Sequence, residues 1–283
     1  MSKYHLIIDV ALCENCCNCF LAIKDEYCDN EFPGYSKSQP RHGHRWFDIK
    51  EKERGSGSLM DVAYLPVTCN QCADAPCVKA AKDGAITQRP DGIVMIDTVR
   101  AKGLKNLIKS CPYGHIWWNE EEQLPQKWSF DAHLMDNGWK EPRPVQSCGS
   151  GALTFVRCDD EEMAIRAEQK GLEVLHPEFG TKPRVWYKNL HRFYSAFIAG
   201  SVSIIENDLR ECATDATVSL FCDGDCKINC QTDAFGDFKF DGLSVNSGEY
   251  IVKFQYEDRP STSQRVVLGE SVNLGEICLD IVS

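Results

Sequence analysis

Two short runs of cysteine carry the residues best suited to chemistry in this chain. They are Cys13-x2-Cys16-x2-Cys19 and Cys69-x2-Cys72-x4-Cys77. Gaps of this length allow three thiolates from one loop to bind a cuboidal [4Fe–4S] cluster, which takes a fourth thiolate from elsewhere. The sequence therefore predicts two clusters and requires two further cysteines that are distant in the chain.

Cys111 and Cys148 are the candidates for these two ligands. After each of them a glycine follows at the third residue and an aliphatic residue at the fifth, and the same register starts at Ala81. Such a repeat indicates ferredoxin-like units joined in tandem, in which each triplet takes its fourth thiolate from a distant run. The predicted ligands form a first set (Cys13, Cys16, Cys19 and Cys148) and a second set (Cys69, Cys72, Cys77 and Cys111).

The tandem plan also has positions where a ligand is expected and no cysteine stands. These positions fall into two complete groups of four: Ala81, Ala101, Leu104 and Leu107; and Ile23, Trp128, Asp131 and Pro144. Random loss of ligands would leave single cysteines stranded, whereas here whole sets are lost and whole sets are kept. This pattern favours two [4Fe–4S] clusters. Structural zinc is the alternative, because four thiolates also satisfy a zinc ion.

Composition and length limit the remaining possibilities. The 283 residues contain 16 cysteines and carry a formal net charge of −11. Closely spaced cysteines in a long chain favour metal over disulfides, and the charge argues against binding nucleic acid. No apolar stretch reaches the roughly 18 residues of a membrane span. A cytoplasmic protein without a membrane span is expected, and no set of catalytic side chains can be assembled.

The sequence predicts both helices and strands around the cysteines, which indicates an α+β fold. The segment from Asp159 to Gly171 has the caps and charges of a helix. From about Phe197 the chain alternates with period two in four segments, which predicts an all-β sandwich. Residues 232–240 and 248–250 resemble prealbumin-like domains, and an Ig-like sandwich is also compatible. The expected domains are an iron–sulfur domain (1–157), a helix with a connecting segment (158–195) and a sandwich (196–283).

Eight cysteines remain outside the predicted sets. Cys222, Cys226 and Cys230 have x3 gaps and no nearby histidine, so free thiols are expected, or a disulfide in an oxidising compartment. The other five are predicted to be small buried side chains: Cys17, Cys28, Cys158, Cys212 and Cys278. His42 and His44 lie in a basic segment that suits either a partner interface or a solvated loop.

The tandem ferredoxin plan resembles the iron–sulfur subunits of molybdopterin oxidoreductases in the dimethyl sulfoxide reductase superfamily. More narrowly, the chain resembles the small subunits of pyrogallol–phloroglucinol transhydroxylase and related hydroxylases. The segments that carry this resemblance are Ile7-Ile8-Asp9-Val10, Gly43-His44-Arg45-Trp46, Asp91-Gly92-Ile93-Val94, Asn119-Glu120-Glu121-Glu122 and Gly180-Thr181-Lys182-Pro183-Arg184-Val185-Trp186-Tyr187. The resemblance extends over nearly the whole chain.

The resemblance implies an electron-transfer subunit that serves a large catalytic subunit carrying the molybdopterin cofactor. The transhydroxylase subunits hold a third cluster, whose ligand positions correspond here to Ile23, Trp128, Asp131 and Pro144. That cluster would lie between the two retained ones, so its loss interrupts the chain of clusters. Two functions are therefore compatible with the sequence: an electron-transfer subunit, or a scaffold whose clusters stay in one redox state during turnover.

Overall fold

The computed structural model describes residues 2–280. Within this range the chain forms two compact units. The first contains the residues up to Lys50 together with Tyr64–Leu190, and the second contains Glu51–Ala63 and the residues from His191 onward. A membrane-spanning helix is not found between residues 2 and 280.

The N-terminal part of the chain, through residue 190, combines short helices with short strands. Its strands are β1 (Lys3–Asp9), β2 (Phe47–Ser56), β3 (Leu59–Thr68), β4 (Ile86–Gln88), β5 (Val94–Ile96), β6 (Trp117–Asn119), β7 (Leu124–Gln126), β8 (Leu153–Cys158) and β9 (Val185–Lys188). Its α-helices are α1 (Asn18–Tyr27), α2 (Pro76–Ala80), α3 (Ala132–Asp136), α4 (Arg143–Gln146) and α5 (Asp160–Lys170). Two 3-10 helices span Lys105–Ser110 and Pro177–Phe179.

A three-stranded sheet of order β8-β1-β9 is the largest sheet of the first unit. Strand β1 lies at its centre, antiparallel to β8 and parallel to β9. Its sequence Lys-Tyr-His-Leu-Ile-Ile-Asp is buried on successive residues rather than on alternate ones. A central strand that is covered on both faces has this burial pattern. The first cysteine run follows β1, the central strand of this sheet.

Helix α5 confirms the helix predicted between Asp159 and Gly171. The Asp159 carboxylate accepts a hydrogen bond from the backbone N–H of Glu162 at 2.8 Å, which satisfies one free donor of the first turn. Gly171 ends the helix with φ of 60°, a conformation that glycine adopts with little strain. Met163 and Ala167 are buried as expected, but Ala164 is exposed, so the apolar face is narrower than the sequence indicated.

The second unit contains two four-stranded sheets around one hydrophobic core. The remaining elements are α6 (His191–Tyr194), β10 (Ala196–Glu206), β11 (Leu209–Cys212), β12 (Thr217–Cys222), β13 (Asp225–Gln231), β14 (Asp237–Leu243), β15 (Gly248–Gln255), β16 (Thr262–Leu268) and β17 (Val272–Cys278). One sheet has the order β11-β10-β14 with β17 also paired to β10, and the other has the order β13-β12-β15-β16.

The strands of the second unit follow the predicted alternation. All four period-two segments lie in strands β10, β12, β14 and β15. On β15, Tyr250, Val252 and Phe254 are buried, whereas the intervening Ile251 and Lys253 are exposed. Alternate side chains of a strand point to opposite faces, so the apolar half of each strand enters the shared core.

Residues 51–63 comprise the end of β2, the turn and the start of β3. They belong to the second unit, although the rest of that unit begins more than a hundred residues later in the chain. Arg54 is 2 % exposed and anchors this segment. Its guanidinium donates to Asp61 at 2.5 Å and to both oxygens of Asp241 at 2.9 and 3.0 Å. Lys239 adds a more exposed ion pair to the same two carboxylates.

Replacing Arg54 by methionine is expected to lower the free energy of unfolding of the second unit by about 2 kcal/mol, because Asp61 and Asp241 lose their buried partner. Lys239→Met is the matched control, since it removes a charge from the same network at a more exposed position. It is expected to cost about 0.5 kcal/mol. Urea unfolding of both variants measures the difference, and equal effects would contradict an anchoring role for Arg54.

Candidate metal centres

The second set of cysteines surrounds a single cavity. Cys69, Cys72, Cys77 and Cys111 all line it. The first follows strand β3, the third lies in α2, and the fourth ends the 3-10 helix at Ser110. The structure thus brings a cysteine at position 111 to a triplet centred some forty residues earlier, which is the convergence that the repeat predicted.

Hydrogen bonds between glutamine side chains and backbone groups fix the loop that carries this triplet. Gln88 donates from its side-chain amide to the carbonyl of Cys72 at 2.8 Å. Gln71, which has φ of 46°, accepts from the N–H of Val94 at 2.8 Å and donates to the carbonyl of Trp128 at 3.0 Å. A loop held from both sides keeps its thiols aimed at the cavity without regular secondary structure.

The first set is brought together by strand pairing. Strands β1 and β8 are antiparallel, with Ile8 opposite Leu153. The ladder continues with a hydrogen bond from the N–H of Asp9 to the carbonyl of Ala152 at 2.8 Å. Cys13 follows the end of β1 by four residues and Cys148 precedes the start of β8 by five, so both leave the sheet at the same end of the antiparallel pair.

The loop between β1 and α1 reverses the chain direction and turns Cys16 and Cys19 toward Cys13. Asn15 and Cys17 both have positive φ, 55° and 60°, and Cys17 is the residue that precedes the first turn of α1. Two left-handed residues within three positions reverse the chain direction, so Cys16 and Cys19 can face the same point as Cys13. Cys16 is exposed, whereas Cys19 is buried at the start of α1.

Electrostatics shows that the thiols of each set are close neighbours. Burial, together with the neighbouring Cys13, Cys148 and Cys16, raises the pKa of Cys19 to about 12. In the second set, burial raises the pKa of Cys72 to about 12 and of Cys77 to about 11. A thiol in such surroundings ionises only when a cation replaces its proton, which is what metal binding does.

The donors therefore suit a thiolate-bound cluster. Between residues 2 and 280, no three or more His, Cys, Asp or Glu side chains are close enough to hold a single metal ion. In a [4Fe–4S] cube each thiolate binds a different iron, so the ligands stand around a space rather than around one atom. The cavity lined by the second set is such a space. The assignment of these eight cysteines as cluster ligands remains a prediction.

The positions corresponding to a third cluster are filled by a buried polar and aromatic network. Trp128 and Asp131 are fully buried, and Ile23 is 1 % exposed. The Asp131 carboxylate accepts from the Tyr27 hydroxyl and the Trp128 indole, both at 2.8 Å, and from the backbone N–H of Arg143 at 2.9 Å. Burial raises the pKa of Asp131, and these three donors partly offset that effect.

Aromatic packing completes this filled region. The Trp128 ring stacks on Phe130 with centroids 4.7 Å apart and meets Phe47 edge-on at 5.5 Å. Pro144, the fourth of these positions, is buried in α4, which packs against the helix that carries Ile23. The four positions at which the resemblance predicts ligands of a third cluster thus hold a tryptophan, a hydrogen-bonded carboxylate and two apolar side chains.

The other group of four lost positions lies in an apolar core. Ala101 and Leu107 are buried, and Ala81 and Leu104 pack against the same cluster of side chains. This core also includes Cys72 and Cys77. The non-cysteine residues therefore support the second set by packing.

Several sequence-based expectations need correction. Of the five cysteines expected to be buried, only Cys158 is; Cys212 is exposed, and Cys17, Cys28 and Cys278 are half-buried. Cysteine's preference for interiors is only statistical, and Cys212 lies on the exposed strand β11.

His44 is 6 % exposed with a ring nitrogen 2.9 Å from the Trp118 carbonyl, so it does not belong to a solvated loop. Cys222, Cys226 and Cys230 are free thiols on β12 and β13.

Lys127 is a functional candidate that the sequence did not reveal. It lines the cavity of the second set and is 4 % exposed. Lysine is seldom buried, so nothing in the segment Leu124–Trp128 predicted this location. Only its position directly before Trp128, at the end of a short apolar strand, could have suggested it.

Comparison with known proteins agrees with this geometry. Residues 60–158 match the family model described as a 4Fe-4S dicluster domain, a range that contains five of the eight predicted ligands. The chain is 44 % identical over 282 residues to the pyrogallol hydroxytransferase small subunit of Pelobacter acidigallici, covering 99 % of this chain and 100 % of the relative.

More distant relatives match about two thirds of this chain. A tetrathionate reductase subunit of Salmonella typhimurium is 31 % identical, covering 66 % of this chain and 73 % of that protein. The iron-sulfur subunit of a putative dimethyl sulfoxide reductase of Halobacterium salinarum is 29 % identical, covering 67 % and 80 %. Among these three, the Pelobacter protein matches nearly the whole chain, including its β-rich C-terminal part.

Proposed function

Because this chain belongs to the family of iron–sulfur small subunits that includes the pyrogallol hydroxytransferase small subunit, we propose that it holds two [4Fe–4S] clusters and serves a larger catalytic partner. An iron–sulfur electron-transfer subunit is the class of protein to which its relatives belong. The observation that supports two clusters is the convergence of two separate sets of four cysteines. Each cluster would exchange one electron at a time through its thiolate-bound irons.

The catalytic centre is proposed to lie on the partner. The relative with full-length coverage is named as the small subunit of a pyrogallol hydroxytransferase. By analogy the partner carries a molybdopterin cofactor and acts on polyhydroxylated aromatic compounds. The present chain supplies the clusters and the surface that supports them. We propose that its second unit, two sheets around one core, is a prealbumin-like module that packs against the partner.

A scaffold function is the second candidate, and one observation favours it. Trp128 and Asp131 occupy positions that would hold a further cluster between the two proposed ones. A protein that passes electrons through a row of clusters gains nothing from filling one position with apolar packing. A transhydroxylation, which has no net electron flow, tolerates such an interruption.

Iron analysis of the purified complex tests the proposal. The chain is co-expressed with its partner and purified without oxygen; about eight irons per small subunit are expected, with [4Fe–4S] signals in electron paramagnetic resonance after reduction. Zinc in place of iron would refute it. The two candidate functions separate during turnover: clusters that change redox state support electron transfer, and clusters that stay in one state support the scaffold.

A further inference from the structure

Lys127 carries a buried ammonium group beside the second set of cysteines. Its side chain is 4 % exposed and lines the same cavity as Cys69, Cys72, Cys77 and Cys111. The ammonium donates to the carbonyl oxygens of Val94 and of Trp128, the latter at 3.1 Å. These two bonds use two of its three N–H donors and hold its charge at the cavity wall.

A bound cluster with its thiolates would supply the negative charge beside this ammonium. Over residues 2–280, no salt bridge joins Lys127 to a carboxylate, whereas other buried cations of the chain have such partners, as Arg54 and Arg184 do. Lys127, Cys77 and Cys111 line the same cavity, so the ligands of a bound cluster would lie beside the ammonium. A buried charge is costly unless it is paired, so the cluster with its four thiolates is the counter-charge that this site requires.

We propose that Lys127 sets the reduction potential of the cluster held by Cys69, Cys72, Cys77 and Cys111, making that cluster easier to reduce. The inference rests on the proposed function, since it requires a cluster at this site. Reduction adds one electron to the cluster and neither forms nor breaks a bond, so the cluster and its thiolates gain one negative charge. A fixed cation in a water-poor site stabilises the more negative state most.

The location of Lys127 also gives the two proposed clusters different surroundings. Lys127 directly precedes Trp128 and bonds to its carbonyl, so the cation is attached to the region that replaces the third cluster. The first set, in contrast, includes the exposed Cys16. Lys127 therefore changes the reduction potential of the second-set cluster, and the potential of the first-set cluster serves as the internal reference.

Redox titration of Lys127→Met in the purified holo-complex tests this inference. The titration is followed by electron paramagnetic resonance, with dithionite as the electron donor. The equilibrium constant for one-electron reduction of the second-set cluster is expected to fall at least tenfold, a shift of 59 mV to lower potential. The first-set cluster is expected to keep its potential, and Lys127→Arg, which retains the charge, is expected to stay within threefold of the wild type.

Lys79→Met is the matched control. Lys79 lies two residues after Cys77 but is 69 % exposed and paired with Asp74, so water screens its charge. It is expected to shift the equilibrium less than threefold. Lys127→Gln, whose amide can donate to the same two carbonyls, replaces the methionine variant if that protein does not assemble.

Three results would overturn the inference. One is a neutral variant whose second-set potential matches that of the wild type while both clusters are present. Another is an equal shift in Lys79→Met. The third is loss of the cluster from both neutral variants with retention in Lys127→Arg, because the charge would then hold the cluster rather than tune it. Absence of iron from the wild type would instead refute the proposed function.

Discussion

Cys111→Ala is expected to lower the iron content from about eight to roughly four per chain and to abolish one of two [4Fe–4S] signals. Cys111 lines the second-set cavity opposite the triplet at 69–77. Three thiolates on one loop leave one corner of the cube without a protein ligand. The resulting cluster is open to water and to loss of iron, so iron analysis and electron paramagnetic resonance report the change directly.

Cys148→Ala supplies the complementary case. It removes the fourth ligand of the first set and is expected to abolish the other signal, leaving the second-set cluster in place. Cys158→Ala is the matched control, because Cys158 is buried ten residues later on β8 and belongs to neither set. If both ligand variants removed the same signal, or if the control lost iron, the pairing of distant cysteines would be wrong.

Asp131→Ala is expected to lower the free energy of unfolding by about 3 kcal/mol. The substitution deprives three buried donors of their acceptor: the Tyr27 hydroxyl, the Trp128 indole N–H and the backbone N–H of Arg143. Water cannot replace the carboxylate without opening the packed region around Trp128. Chemical unfolding followed by tryptophan fluorescence measures the loss.

Asp131→Asn separates hydrogen bonding from charge. The asparagine oxygen can still accept from Tyr27 and Trp128, while its amide group opposes the N–H of Arg143. An intermediate loss of about 1 kcal/mol is expected. Full iron content in both variants is also expected, since the network holds no cluster. An alanine variant as stable as the wild type would contradict the view that this carboxylate organises the region.

The local patterns of the sequence predicted a large part of the structure. Helix α5 follows from its capping residues, and the strands of the second unit follow from period-two alternation. In these two cases the information lies within a few residues of the feature that it specifies. The meeting of Cys111 with the distant triplet at 69–77 was indicated by the repeat instead, and the binding of a cluster there remains a prediction.

Features that depend on distant contacts were not predictable. Arg54 is buried because Asp61 and Asp241 lie beside it, and nothing near Arg54 in the sequence indicates the second partner. Lys127 is buried for a similar reason, since its acceptors are the carbonyls of Val94 and Trp128. His44, placed by the sequence in a basic segment, is covered after folding. Burial of a polar group is set by the whole fold, so single-sequence patterns do not reveal it.

The network around Asp131 makes a further ligand set hard to build at these positions. A single change to cysteine at position 128 or 131 would break the indole–carboxylate hydrogen bond and gain no iron, because three more ligands would be needed. Either change therefore lowers stability before any cluster can form. The packing around Trp128 means that a gain of iron binding here would need several substitutions at once.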